Sequence, residues 1–120
     1  MPEEAWVDEA LPLQVDVRDR ASDTVVVVSG ELDFATTPHL WEAVGPLARS
    51  GRPLVLDLAA LSFCDSSALS ILVRLHRTAQ GSGGSLVLAA PQPQVEAALT
   101  VTMLHRLLTI RPEQPDGDPV

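Results

Sequence analysis

Three short apolar runs, Thr24-Val-Val-Val-Val-Ser29, Leu54-Val-Leu-Asp-Leu58 and Ser85-Leu-Val-Leu-Ala-Ala90, are separated by single stretches of helical periodicity. That alternation leaves few folds open. Each run has strand length, and strands joined through one helix pair in parallel by right-handed crossovers. Ahead of them Leu13-Gln-Val-Asp-Val-Arg18 alternates apolar and polar residues, and a turn over residues 19–23 makes it the hairpin partner of the valine run. The alternation gives the first strand one wet face, whereas the unbroken valines predict burial on both faces.

Thr37-Pro38 places a capping hydroxyl before a proline that opens a helix carrying Leu40, Trp41, Val44, Leu47 and Ala48. Gly45-Pro46 predicts a kink in it, or two short segments. A second helix runs from Ser66 or Ser67 to about Gln80, with Leu69, Leu72, Val73, His76 and Ala79 on one stripe, and Gly81-Ser-Gly-Gly84 ends it. A third helix over residues 93–103 precedes a short last strand over residues 106–110. The expected fold is α/β in ββαβαβαβ order, with four mostly parallel strands and the first strand as an antiparallel edge.

Composition narrows the chemistry. The net charge of −8 is concentrated at the ends, in Glu3, Glu4, Asp8, Glu9, Glu113, Asp116 and Asp118, while residues 11–112 set nine acids against eight arginines. The expected organisation is an acidic flexible leader over residues 1–12, one folded domain over 13–111, and a flexible tail rich in proline and aspartate over 112–120. Without basic clusters, neither nucleic acid nor an anionic membrane is an expected partner. No apolar run reaches membrane-spanning length and the N-terminus has no signal-peptide pattern, so a cytoplasmic location is expected. The absence of lysine removes Walker-type phosphate loops, Schiff-base enzymes and the usual phospho-aspartate receivers. His39, His76 and His105 lack ligand spacing, so no metal site is expected.

Asp65-Ser66-Ser67 stands where a strand passes through a short loop into a helix. A hydroxyl there is exposed and faces free backbone N–H groups, so it can serve as a helix cap, accept a phosphate, or do both. Asp57 reads as a hydrogen-bonded structural acid, and Cys64 as a small buried hydrophobe with some scope for reactivity beside Asp65. No G-x-S-x-G elbow supports Ser66 as an enzyme nucleophile.

Gly30-Glu-Leu-Asp33 after the valine strand, Leu54-Val-Leu-Asp-Leu58, and Phe63-Cys-Asp-Ser-Ser-Ala-Leu69, in that order, resemble the STAS domains of bacterial anti-sigma factor antagonists over residues 13–111. The resemblance implies a STAS-type layered fold and a transcription-regulating binding protein rather than an enzyme. The partner it implies is an anti-sigma factor that is also a serine kinase, so ATP belongs to that partner and this chain holds no cofactor. Ser66 is the implied phosphoacceptor, with Ser67 as the alternative, and a serine phosphatase reverses the modification. Asp33, Thr36, Asp65, Ser66, Ser67 and Ala68 are the implied partner-binding residues of a monomer or weak homodimer. The family usually carries glycine where this chain has Ala68, whose methyl group is then expected in the interface, and glycine is also common at Met103. A second function compatible with the resemblance is a constitutive scaffold, or a regulatory subunit of a lipid-transport ATPase or stress complex, with Ser66 only a cap.

Overall fold

The computed structural model describes residues 12–115. Six strands form one sheet: β1 (Leu13–Asp19), β2 (Thr24–Leu32), β3 (Pro53–Asp57), β4 (Leu61–Cys64), β5 (Ser85–Ala89) and β6 (Thr109–Arg111). Three helices connect them, α1 (Thr37–Ala48), α2 (Ser66–Gly81) and α3 (Pro93–Val101). The strand order is β1-β2-β3-β5-β6, with β4 set beside β2. β1 lies antiparallel to β2 as the expected edge, and β2, β3, β5 and β6 are parallel.

Alternation along the strands sends Val26, Val28, Leu54, Leu56, Leu86 and Leu88 to one face. There they join Leu40 and Val44 of α1, Leu72 and Leu75 of α2, and Val95 and Leu99 of α3 in one cluster. Val25, Val55, Val87 and Ala89 form a smaller cluster on the other face. The valine run is therefore buried on both sides, as its lack of alternation requires. On the second face Asp57 is buried. Its carboxylate accepts from the Ala59 N–H at 3.1 Å and the Gln114 side-chain amide at 3.2 Å, so it is a satisfied structural acid. Gln114 belongs to the stretch expected to be a flexible tail. The rest of that tail beyond Pro115, and the leader up to Leu11, lie outside the described residues.

Four expectations need correction. The loop expected before Asp65 contains a strand, β4, because β2 does not stop at Ser29: it continues to Leu32, and Glu31 and Leu32 offer an edge to Phe63 and Cys64. Of the two outcomes expected at Gly45-Pro46, a kink or two short segments, the division does not occur, and α1 is a single helix. Leu40, Val44 and Ala48 are fully buried on both sides of the proline, and burial worth about 1.5–3 kcal/mol per large side chain outweighs roughly 3 kcal/mol for one internal proline. The α1 cap position is held by Thr36, with Thr37 already helical. The chain after α3 forms a single 3-10 turn at Leu104–Arg106, so the last strand starts at Thr109.

Candidate functional site

The site is built around Asp65, which β4 delivers to the start of α2. Its backbone N–H donates to the Leu32 carbonyl at 3.3 Å. One carboxylate oxygen accepts from the Ala68 N–H at 3.0 Å, and the other accepts from the Phe34 N–H at 3.1 Å. A single acid thus caps α2 and ties it to the loop after β2. Capping falls to Asp65, and neither serine performs it.

That loop is braced from inside. The Asp33 carboxylate accepts from the N–H groups of Ala35 and Thr36 at 3.0 and 3.1 Å. The Thr36 hydroxyl accepts from the Asp33 N–H and donates to the Glu31 carbonyl, both at 2.9 Å. Thr36 is 6% exposed, so it shapes the loop and presents no surface to a partner. Ala68 is fully buried. Its methyl group packs into the core, contrary to the expectation that it enters an interface.

Ser66 and Ser67 occupy the first two positions of α2, Ser66 exposed and Ser67 half-buried. Among the described residues, no protein acceptor takes either backbone N–H, so the positive end of the helix stays open beside the Ser66 hydroxyl. Two hollows flank this turn. On one side Ser66, Leu69, Val73 and Arg77 face Thr102 and Leu104 across a groove of about 450 Å³. On the other, Ser67, Ser70 and Arg74 meet Phe34 and Thr37, and the Arg74 guanidinium stacks 3.8 Å from the Trp41 ring centre.

The surface residues that sequence reasoning missed are apolar. Phe34 is 79% exposed, and Phe63, Val101, Met103 and Leu107 are also exposed. Phe34 had a signal: an aromatic residue inside a turn, with no helical or strand periodicity to bury it. Phe63 lies on β4, a strand the sequence does not reveal, and Val101, Met103 and Leu107 lie where the sequence misplaces the end of α3 and the start of β6.

Cys64 is half-buried. Burial, and secondarily the negative Asp65 beside it, push its thiol up to about 11. The thiol therefore stays protonated at neutral pH, which argues against a reactive cysteine. At pH 8, iodoacetamide should alkylate Cys64 in the folded protein about a hundredfold more slowly than a model thiol, because two units of raised pKa remove that share of thiolate. Mass spectrometry of timed aliquots reads this directly, and labelling as fast as the model thiol would contradict it. His76 is buried on α2, and among the described residues its Nδ1 has no partner. Among the described residues no cluster of three metal-ligating side chains occurs, and no helix is long and apolar enough to cross a membrane.

Residues 13–116 match the STAS domain family. The chain is a STAS domain. This STAS domain is 30% identical over 105 residues to the anti-sigma-B factor antagonist of Bacillus subtilis (strain 168), covering 88% of this chain and 96% of that one. The crystal structure of an anti-sigma factor antagonist from Mycobacterium paratuberculosis superposes with a TM-score of 0.76 at 31% identity, over 83% of this chain and 86% of that one. The Bacillus cell fate determinant SpoIIAA in its phosphorylated form shares the fold, with a TM-score of 0.62 at 20% identity over 82% of this chain and 89% of that one.

Proposed function

We propose that this STAS domain is an anti-sigma factor antagonist: unphosphorylated, it binds an anti-sigma factor serine kinase and frees a sigma factor, and a phosphate on Ser66 breaks the complex. The observation that carries the reading is the position of Ser66. It is the exposed hydroxyl of the pair, at the first turn of α2, beside a fixed aspartate and on the wall of the groove that Leu69 and Leu104 share. Both oxygens of the neighbouring Asp65 already accept backbone N–H groups, which suits Asp65 to holding the turn in place. The transfer machinery, ATP included, belongs to the partner.

A phosphate would add about −1.5 to −2 charges at neutral pH. The open N–H groups favour it and Asp65 opposes it. These terms offset each other, so the fold changes little and the effect falls on whatever surface packs against Ser66. A serine phosphatase restores the binding form.

Incubation of the full chain with ATP and an anti-sigma factor serine kinase from the same genome, followed by intact-mass and fragment mass spectrometry, should give one added phosphate, on Ser66. Phosphate on Ser67 alone, or none with any such kinase, refutes the assignment. Stable association that ignores ATP would favour a constitutive scaffold.

A further inference from the structure

We propose that Met103 and Arg77 form a second recognition point for the kinase partner, in which the groove running away from Ser66 takes a segment that pairs an apolar side chain with a carboxylate. This rests on the function proposed above and names the chemistry of the partner at that site.

Met103 carries the first observation. It adopts φ 62 and ψ 15, in the left-handed region that glycine occupies freely and a long side chain does not. Its N–H donates to the Thr100 carbonyl at 2.9 Å, and its own carbonyl accepts from Arg106 at 3.1 Å, so hydrogen bonds on both sides hold the backbone there. The side chain lodges in no core. It is 50% exposed between the groove-lining Thr102 and Leu104, with Val101 82% and Leu107 42% exposed beside it. A strained position carrying an exposed, adaptable apolar side chain stabilises the free protein in no visible way, and contact with a partner gives it a use.

Arg77 carries the second. It is exposed on the α2 wall of the same groove and, among the described residues, has no carboxylate partner. An unpaired guanidinium beside Val73 and Leu104 suits a carboxylate on a chain whose neighbouring side chain is apolar. Because Ser66 lines the other part of this groove, an acidic segment seated in it meets a phosphate as like charge. Repulsion then adds to desolvation in breaking the complex.

The test measures calorimetric affinity of the full chain for the anti-sigma factor kinase that binds it, at two salt concentrations, with thermal melting of each variant alongside. Met103→Gly should melt a few degrees higher, about 4 °C, as backbone strain is relieved, and yet bind about tenfold more weakly. A purely structural residue would move both in the same direction. Arg77→Glu should weaken binding about tenfold and flatten its salt dependence, while Arg77→Lys retains most of it. If Met103→Gly and Arg77→Glu bind like the unaltered chain while Ser66→Glu does not, the groove assignment fails and the proposed function stands. If no anti-sigma factor kinase binds the unaltered chain, both fail. Tighter binding after removal of residues 1–11, or a dimer by light scattering that Met103→Gly dissolves, would give the groove to the chain's own leader or to a second copy and overturn the assignment.

Discussion

Ser66→Glu is expected to bind the anti-sigma factor kinase about a hundredfold more weakly than the unaltered chain, and the protein phosphorylated on Ser66 about a thousandfold more weakly, whereas Ser66→Ala binds normally. The difference follows from what each residue brings to a closed interface. Ser66 presents a small neutral hydroxyl on an exposed first helical turn. Glutamate brings one charge there and phosphate nearly two. Burying an unmatched charge costs several kcal/mol, and about 4 kcal/mol corresponds to a thousandfold in affinity. Because Asp65 rather than Ser66 caps α2, neither substitution removes a cap. All three proteins should therefore melt within a few degrees of one another, and the affinity differences read the interface alone. Equal affinity of the alanine and glutamate variants, by calorimetry or pull-down with the same kinase, would remove Ser66 from the interface.

How far the sequence reaches is clear from which interactions are local. The order of strands and helices and the edge position of β1 follow from periodicity and crossover rules, both properties of short windows. β4 was invisible because Leu61-Ser-Phe-Cys64 becomes a strand only by pairing with Glu31 and Leu32, some thirty residues earlier. The same distance hid the role of Asp65. Its bond to Ala68 is a local cap, but its bond to the Phe34 N–H joins two loops far apart in the chain. Family resemblance puts Thr36 and Ala68 on the partner surface, because it aligns positions without saying which way a side chain points. Both face inward. Family resemblance leads one to expect glycine where Met103 stands, and the left-handed backbone there is a conformation that glycine adopts without strain.

Gly30→Ala is expected to destabilise the domain by about 3 kcal/mol and lower its melting temperature by about 10 °C or more. Gly30 is where β2 changes partners. It pairs with Leu13 of β1 on one side and Leu61 of β4 on the other, and the ladder shifts register between Gly30 and Glu31. Its φ of +102 is open to glycine and strained for alanine. A methyl group at Gly30 would also sit on the carbonyl oxygen of Pro12, which cannot retreat freely because it accepts the Glu31 N–H at 2.8 Å. Gly83 separates the two contributions. It too has a positive φ, +84, but a methyl group there meets nothing within 4 Å. Gly83→Ala should thus show the backbone penalty alone, about 1 kcal/mol, and the excess at Gly30 measures the close approach of the β1 entry to the bend in β2. Displacing that entry loosens β4, and with it the Asp65 bond to Phe34, so Gly30→Ala should also weaken kinase binding without touching any exposed residue of the site. Equal melting temperatures for the two variants would mean that Pro12 does not press on Gly30, and that the partner change in β2 depends on something other than the missing side chain.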